Sequence, residues 1–269
     1  MAPKDRAKLF CVMTVANSLT QYAEMRGSLA EAGFTEDRCR FVLLDNSAGN
    51  AHEPHSAINQ TLDAAAEPYV IACHQDILLD QGPGFDQLAD RIERLNTSYP
   101  NWAVAGNSGG KSNLAELYHL HDPNGFHYAA PLPQQVRTLD ENFLVIRRDA
   151  GVRCSKELSG FHLYAADLCL HAAERGMQSF VIDFYFTHLS GGNAGSEHFK
   201  AGLAEFQQHW NRKFVVSLVR TPSMFFFLSR FSVVRDLLAQ KPVMKLVRAG
   251  FKAVRVVQNF SDKKQSACA

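Results

Sequence analysis

The chain has 269 residues, of which 46% are hydrophobic, and its formal net charge is +1. This length is enough for one large α/β domain or two small ones, and the composition excludes wholesale disorder. No uncharged apolar run reaches the roughly 18 residues that a transmembrane helix needs, so the sequence predicts no membrane-spanning helix.

Short apolar runs alternate with amphipathic helical patterns along most of the chain. The predicted strands are Leu9–Thr14, Phe41–Leu44, Tyr69–Cys73, Trp102–Ala105, Leu144–Ile146 and Phe180–Phe186. The predicted helices are Leu19–Ala32, Ser56–Ala66, Gly84–Leu95 and a helix that contains Asp167 and ends near Gly176. This alternation predicts an α/β fold with a mainly parallel sheet flanked by helices. The intervening Lys111–Gln135 is predicted to be an irregular, functional loop region.

The last sixty residues differ in charge from the rest. From Trp210 onward there are 12 Lys or Arg and two acidic residues, so this segment carries a net charge of +10 and the part before it −9. We therefore expect two parts, a catalytic domain over 1–210 and a basic helical extension over 211–269.

Pro222 and Pro242 are expected to delimit two helices in this extension, the first rich in aromatic residues. In the second, Val243, Leu246, Val247, Gly250, Phe251 and Val254 form an apolar stripe, opposite Lys245, Arg248, Lys252 and Arg255. Basic amphipathic helices of this kind bind anionic membrane surfaces. Packing on the catalytic domain with solvated cations is the alternative. No nucleic-acid-binding module is present, so no nucleic-acid partner is expected.

The cysteines and the N-terminus indicate a reducing, cytoplasmic location. The six cysteines form no C-x-x-C pair, and several lie in apolar runs, so no structural zinc is expected. The residues after Thr14 become polar too quickly for a secretory signal.

Polar residues occur where predicted strands end: Asp45-Asn46, His74-x-Asp76, the Gly106–Gly110 loop and His188. Because ligands of open α/β sheets bind at the carboxyl ends of strands, these positions predict one site. In an extended segment His74 and Asp76 point to the same face, where with His188 they could hold Mn²⁺, or Mg²⁺ with added waters. Alternatively, Asp76 caps a turn and the histidines are ordinary polar residues.

Three segments in order resemble a bacterial branch of glycosyltransferase family 2, in which the metal motif is written His-Gln-Asp. They are Tyr69–Ile77, Phe161–Cys169 and Val181–Gly192, and Leu43–Ser47 is similar to the nucleotide-base loop of that family. The resemblance covers roughly residues 8–200 and implies a GT-A (Rossmann-like) fold.

The resemblance also implies roles for individual residues. Asp76 and His188 would hold the metal, and His74 would contact either the metal or the donor ribose. Asp45, with Asn17 and Asn46, would contact the base, and Asn59 would face the donor. Asp167 would be the catalytic base.

Several roles have a physical reason of their own. Inverting sugar transfer needs a base to take the proton of the acceptor hydroxyl, which the carboxylate of Asp167 could do. Alternatively, Asp167 only stabilises the first turn of its helix. Gly106 could let the backbone approach the donor, and Asp140 could bind hydroxyl groups, but each could also serve a turn. Three histidines with no helical metal spacing, His119, His121 and His127, favour an acceptor-side loop over a second metal.

We expect an enzyme at the inner face of the membrane that moves a sugar, with inversion, from a nucleotide-diphosphate donor to a surface polysaccharide or lipid-linked glycan. One alternative is a sugar nucleotidyltransferase, although Thr14–Leu19 lacks the glycine- and basic-rich loop that it needs. The other is a catalytically inactive membrane-associated scaffold. No G-x-G-x-x-G opens the first helix, and no Walker lysine motif of the form G-x-x-x-x-G-K-[ST] is present.

Overall fold

The computed structural model describes residues 7–129, 131–191 and 196–251. Its helices are α1 (Leu19–Glu31), α2 (Pro54–Ala64), α3 (Phe85–Ser98), α4 (Tyr164–Glu174), α5 (Glu197–Asn211) and α6 (Ser232–Leu238). Residues 241–251 are also helical. Its strands are β1 (Phe10–Ala16), β2 (Cys39–Asp45), β3 (Tyr69–Cys73), β4 (Ile77–Leu78), β5 (Trp102–Gly106), β6 (Ser108–Gly110), β7 (Glu116–Tyr118), β8 (Leu120–Asp122), β9 (Gly125–His127), β10 (Gln134–Val136), β11 (Thr138–Leu139), β12 (Phe143–Arg147), β13 (Gln178–Val181), β14 (Thr187–His188), β15 (Ser217–Arg220) and β16 (Phe225–Leu228).

The central sheet has the strand order β10-β13-β5-β12-β3-β1-β2. β1 pairs parallel with β2 and β3, and β13 pairs parallel with β5. β12 runs antiparallel to β3 and β5, and β10 runs antiparallel to β13. Five strands therefore point the same way, and their carboxyl ends share an edge with the start of β12. The predicted α/β class with a mainly parallel sheet flanked by helices is confirmed.

Both faces of the sheet are covered. Phe10 and Val12 of β1 pack with side chains of α1 and α3, whereas Cys11 and Met13 pack with side chains of α2 and α4. This alternation is the period of an extended chain, and burial on both faces explains why the strands are continuous apolar runs. The five described cysteines are buried and free.

A small sheet in the order β4-β14-β8-β9 adjoins the carboxyl edge of the central sheet. In it, His188 of β14 lies opposite Ile77 of β4. Two segments more than a hundred residues apart in sequence are thereby placed side by side. Two strands of this small sheet, β8 and β9, come from the region Lys111–Gln135, as does β7 of a separate three-stranded sheet, so this region is more regular than the sequence predicts.

The last strand of the central sheet is shorter than predicted. β13 ends at Val181, and the amide of Phe184 then donates to the carbonyl of Ile182 at 2.8 Å. This tight turn directs Phe184 and Phe186 into the core on the α1–α3 face. The prediction of a strand over Phe180–Phe186 is therefore wrong beyond Val181, because its apolar residues are buried without sheet pairing.

The first part of the basic extension is a hairpin and not a helix. β15 and β16 pair antiparallel, and Phe226 and Leu228 pack in a core cluster with Trp210 of α5 and Leu170 of α4. The expected first helix is wrong, because this aromatic segment is buried as a strand. Only the short α6 follows it before the helical residues 241–251.

The rest of the extension is described only in part. Lys252, Val254 and Arg255 lie outside the described residues. Over the described ranges, no helix is long and apolar enough to cross a membrane. The division of the chain at residue 210 stays a prediction.

Candidate active site

A cavity of about 840 Å³ opens at the carboxyl edge of the central sheet. Its walls come from the ends of β3 and β14, the start of β12, the small sheet, α5 and the turn of the β15–β16 hairpin. The lining residues are His74, Tyr118, Leu120, Asp122, Asn124, His127, Asp140, Glu141, His162, His188, Ser190, Gly191, Phe199, Pro222 and Ser223. Four residues singled out in the sequence, His74, His127, Asp140 and His188, are among them.

His74, Asp76 and His188 form a cluster at the wall of this cavity, which we call the cavity cluster. Oδ1 of Asp76 lies 3.4 Å from Nε2 of His188 and 3.8 Å from Nδ1 of His74. The amide of His74 donates to the carbonyl of Asn142 at 3.0 Å, and the amide of Leu189 donates to the carbonyl of Asp76 at 2.9 Å. The ligand atoms of the cluster lie within 4.8 Å of one another, so they could hold one metal ion.

A hydrogen-bond chain fixes the His74 ring. The hydroxyl of Tyr164 donates to the carbonyl of Glu141 at 3.1 Å and lies 3.1 Å from Nε2 of His74. Because its single proton is already used, this hydroxyl accepts from His74, which places the hydrogen of a neutral ring on Nε2. Nδ1 is left with its lone pair facing Asp76. The sequence leaves open whether His74 contacts metal or ribose, and this tautomer favours the metal.

Burial and charge act in opposite directions on the cavity cluster. Burial alone would raise the pKa of Asp76, but the hydrogen bond and charge of His188 outweigh it and hold this pKa well below its ordinary range. Burial alone would lower the pKa of His188, but Asp76 raises it above its ordinary value. The pKa of His74 is lowered, first by burial and then by the charge of His188. Of the two imidazoles, His188 therefore takes a proton more readily beside Asp76, and His74 takes one less readily.

Three more ionisable groups line the cavity on the β12 and α4 side. Asp140 accepts bonds from the amide of Glu141 at 2.9 Å and from Nδ2 of Asn142 at 3.2 Å. Burial, followed by the charge of Glu141, raises the pKa of Asp140. Nδ1 of His162 lies 3.8 Å from Oε2 of Glu141. Glu141 and His162 thus form a carboxylate–imidazole pair, the kind of pair that serves in general acid–base catalysis.

A mostly apolar slot of about 240 Å³ lies beside His74 and His162. Its other lining residues are Met13, Val15, Pro54, Ile58, Ala72, Cys73, Phe161 and Tyr164. The slot lies between the ends of β1 and β3 and the start of α2. An apolar slot next to a charged cavity suits a ligand with a flat ring at one end and anionic groups at the other.

Two residues expected to contact the donor base are bonded within their own loop. The buried Asn46 donates to the carbonyl of His52 at 2.8 Å and accepts from the amides of Ala51 and His52 at 3.0 and 2.9 Å. Asp45 is exposed and accepts from the amide of Ser47 at 2.8 Å; the hydrogen bonds from Ser47 lower its pKa. Neither residue lines the cavity or the slot, so both serve the turn after β2.

The other three expected donor contacts also lie elsewhere. Asn17 is exposed and accepts from Nε2 of Gln75 at 2.6 Å. Asn59 exchanges two hydrogen bonds with the backbone of Cys154, at 2.9 and 2.8 Å, and so fastens α2 to the chain before α4. Gly106 is buried inside the sheet, where an added Cβ would meet a carbonyl oxygen of β12 at 2.8 Å. Its role is close packing of strands.

Asp167, expected to be the base, does not reach the cavity. Its side chain is fully buried, and its oxygens accept from the amide and hydroxyl of Ser155 at 2.6 and 2.8 Å and from Nε1 of Trp210 at 2.8 Å. A base must contact the acceptor hydroxyl, so this position does not agree with the expected role. The motif that contains Asp167 does reach the cavity through His162, and its Tyr164 lines the apolar slot.

The histidines of the middle region are separated. His119 is fully buried and bonds to Asp183 at 2.9 Å, whereas His127 lines the cavity and bonds to Asp122 at 3.2 Å. Among the described residues, neither candidate group of metal ligands includes His119, His121 or His127. Of the three, only His127 lines the cavity, and a loop on the acceptor side stays a prediction.

The fold and the site together define a mixed α/β protein with an ionisable cavity and an apolar slot at the carboxyl edge of its sheet. The chain belongs to the same family as the protein named "ATP synthase subunits region ORF 6" from Fuscovulum blasticum, with which it is 35% identical over 220 residues, 78% of this chain and 87% of that one. That name states no activity. No family model matches the chain.

Among solved structures, the chain is similar to TarS from S. aureus, residues 1–349, in complex with UDP-GlcNAc. The TM-score is 0.49 at 14% identity, covering 76% of this chain and 64% of that one. A197 from STIV has a TM-score of 0.39 at 9% identity, covering 67% and 85%. The chain thus spans less than two thirds of TarS 1–349. TM-scores of 0.49 and 0.39 at 14% and 9% identity assign no activity to this chain.

Proposed function

We propose that the protein is a metal-assisted glycosyltransferase of the GT-A type that uses a nucleotide-diphosphate sugar. The observation that supports this most directly is the position of the cavity cluster, between an apolar slot and a polar cavity. The slot has the size and lining for a nucleoside base, and the cluster lies where a diphosphate would follow it. The polar cavity beyond would take the sugar and the acceptor hydroxyl. The resemblance of the His74–Asp76 segment to family 2 glycosyltransferases supports the same assignment.

The cavity cluster fits the divalent ion that this function implies. Two imidazole nitrogens and one carboxylate suit Mn²⁺, and Mg²⁺ with more waters. Held by His74, Asp76 and His188, the ion would neutralise the charge that develops on the leaving diphosphate. Asp140, whose oxygens are fixed by its own loop, would orient hydroxyl groups of the donor or the acceptor.

The Glu141–His162 pair is the proposed acid–base group in place of Asp167. Transfer breaks the bond between sugar C1 and the phosphate oxygen and forms a bond from C1 to the acceptor oxygen. The acceptor proton passes to Nε2 of His162 or to the carboxylate of Glu141, and the nucleoside diphosphate leaves with the electron pair of the broken bond. A single displacement of this kind inverts the configuration at C1.

Calorimetric titration with UDP, GDP and dTDP, each with and without Mn²⁺, tests the donor site. We expect one nucleotide to bind in a metal-dependent manner, and Asp76→Asn to lose this binding. Asp80→Asn is a matched control, because the carboxylate of Asp80 accepts from Thr187 at 2.8 Å, next to His188 but outside the cavity cluster. If no nucleotide binds under either condition, the enzyme assignment fails and the scaffold alternative gains. Binding of nucleoside triphosphates alone would favour a nucleotidyltransferase.

The base assignment is tested separately. Glu141→Gln and His162→Asn should each lower the transfer rate while leaving nucleotide binding intact, by roughly the 10²–10⁴-fold that general acid–base catalysis contributes. Asp167→Asn, in contrast, should act through stability and not selectively through the rate. A selective loss of rate in Asp167→Asn with normal rates in the other two variants would contradict this assignment.

We also propose that the acceptor is presented at an anionic membrane surface. Val233 and Leu237 of α6 and Leu246 of the helical residues 241–251 are 77%, 55% and 72% exposed, and Lys241 and Lys245 are exposed near them. Exposed apolar side chains with neighbouring cations are what an interfacial helix needs. The protein should cosediment with vesicles that contain phosphatidylglycerol and not with pure phosphatidylcholine. Equal binding to both, or to neither, would contradict this.

A further inference from the structure

A second cluster of ligand-type side chains lies between α4 and α5, outside the cavity. Asp167 and His171 are one helical turn apart on α4, and His209 is in the last turn of α5. Their ligand atoms lie within 4.8 Å of one another. The hydroxyl of Ser155 lies among them, 2.8 Å from Oδ1 of Asp167, 2.8 Å from Nε2 of His171 and 3.1 Å from Nε2 of His209. We call these four residues the α4–α5 cluster.

The outer nitrogens of both imidazoles face carboxylates. Nδ1 of His171 lies 3.3 Å from Oε2 of Glu174, and Nδ1 of His209 lies 4.0 Å from Oε2 of Glu157. A carboxylate only accepts hydrogen bonds, so Glu174, the nearer of the two, favours the hydrogen on Nδ1 of His171. In that neutral ring, Nε2 of His171 presents a lone pair to the centre of the cluster. A carboxylate behind the outer nitrogen is also the usual partner of a metal-binding histidine.

The centre of the cluster therefore has more acceptors than donors. Oδ1 of Asp167 and Nε2 of His171 both accept there, and the Ser155 hydroxyl, 2.8 Å from each, has one proton for the two. Asp167 is held in place by the Ser155 amide and by Trp210, and each of these bonds leaves oxygen lone pairs free. An acceptor left without a donor beside the buried Asp167 carboxylate is costly, and a cation at the centre of the cluster removes that cost.

We propose that Asp167, His171 and His209 bind a transition-metal ion of the Zn²⁺ class, with the Ser155 hydroxyl or a water as the fourth ligand. Two imidazoles and one carboxylate are a common zinc donor set. Tetrahedral ligands about 2.0–2.1 Å from zinc are about 3.3 Å apart. Nε2 of His171 and Oδ1 of Asp167 are 3.8 Å apart, so a small side-chain rotation closes the site. The imidazoles of His171 and His209 are partly exposed, which gives an ion access.

The position of the cluster indicates what such an ion does. It joins α4 to α5, and the next residue of α5, Trp210, packs on α4 and on the β15–β16 hairpin. None of the cluster residues lines the cavity. The ion therefore holds together the core formed by α4, α5 and the β15–β16 hairpin and takes no part in transfer.

Titration of chelator-treated protein with Co²⁺ as the probe tests the proposal, because four-coordinate Co²⁺ has a characteristic visible absorption. The titration is done in the Asp76→Asn background to remove the cavity cluster. We expect one equivalent of Co²⁺ with that absorption, displaced by Zn²⁺. His209→Gln should abolish Co²⁺ binding. Glu174→Gln should weaken Co²⁺ binding by about 10–100-fold, because Glu174 contacts the outer nitrogen of a ligand. His198→Gln, on the exposed side of α5, should leave Co²⁺ binding unchanged.

Folding is checked in parallel, because His209 lies beside a core residue. Zn²⁺ should raise the melting temperature of Asp76→Asn and His198→Gln but not that of His209→Gln, whose circular dichroism at low temperature should match the parent. His209→Cys, which keeps a zinc ligand, should restore the Zn²⁺ response. Absence of Co²⁺ absorption in Asp76→Asn, or a His209→Gln variant that binds Co²⁺ as its parent does, would overturn the proposal.

Discussion

The hydrogen-bond chain from His74 to Tyr164 and the Glu141 carbonyl makes Tyr164→Phe an informative substitution. The tyrosine is 5% exposed, and its hydroxyl holds the hydrogen of His74 on Nε2. Phenylalanine keeps the ring, so packing in the core is retained. The His74 ring then loses the partner that fixes its tautomer and orientation.

Two effects of this substitution have different magnitudes. Loss of an outer-shell partner lowers metal affinity by about 10–100-fold, which corresponds to about 1.4–2.7 kcal/mol. The Glu141 carbonyl also loses its donor, and a buried group without a partner costs about 1–3 kcal/mol of stability. The His74 ring is 38% exposed and can bond to water instead. We therefore expect the total loss of stability to lie near the lower end of the range of about 1–3 kcal/mol.

Calorimetric titration of Mn²⁺ in the presence of the bound nucleoside diphosphate measures the first effect, and urea unfolding of metal-free protein measures the second. Tyr118→Phe is the control, because Tyr118 also lines the cavity but donates to the Pro222 carbonyl at 2.6 Å and touches no ligand of the cavity cluster. An unchanged Mn²⁺ affinity in Tyr164→Phe, or an equal loss in Tyr118→Phe, would refute the assignment of His74 as a metal ligand.

Three further predictions follow from burial and charge. In metal-free protein the His188–Asp76 pair should stabilise the fold fully between the ordinary pKa values of 3.8 and 6.5. This stabilisation should be lost as pH rises through the raised pKa of His188 or falls through the lowered pKa of Asp76. The melting temperature, measured from pH 5 to 9, should therefore fall at alkaline pH in the parent protein and not in His188→Gln. Trp210→Phe removes a donor from the buried Asp167 carboxylate and should cost about 1.5–3 kcal/mol in urea unfolding, whereas a loss under about 0.5 kcal/mol would contradict a structural role. Phe226→Ala should cost about 3–5 kcal/mol if the hairpin belongs to the core, and a near-zero cost would make it a detachable extension.

Much of the fold could be predicted because a strand that is buried on both faces of a sheet is a continuous apolar run in the sequence. The strands at Tyr69–Cys73 and Trp102–Gly106 and the helix at Leu19–Glu31 follow directly from apolar runs and helical spacing. The aromatic run at 225–228 is also a continuous apolar run, but over four residues the local sequence does not distinguish a buried strand from a buried helix. Its packing against Trp210 is a tertiary contact that decides the outcome.

The candidate site could be predicted only where strand ends determine it. His74 and Asp76 lie at the end of β3, so their position follows from topology. Pairing of His188 with Ile77 depends on a two-residue strand that directly follows the apolar run Phe180–Phe186 and has no pattern of its own. Asn59 and Asp167 were expected in the site, but their side chains form hydrogen bonds that connect secondary-structure elements inside the fold. The spacing of Asp167 and His171, four residues apart on a helix, was a signal for a second cluster.

The backbone conformation of Leu163 explains why the segment Phe161–Cys169 contributes side chains both to the apolar slot and to the core. Leu163 is a non-glycine residue with φ of 66°, a left-handed conformation that costs about 1–2 kcal/mol. It is 4% exposed and packs with side chains of α4, α5 and the β15–β16 hairpin. Burial of a leucine contributes about 1.5–3 kcal/mol, enough to offset the strain. The turn at Leu163 lets His162 and Tyr164, on either side of it, both line the apolar slot. The core beneath α5 and the hairpin therefore sets the geometry of the cavity, and removal of residues after 210 should disturb the site as well as the surface.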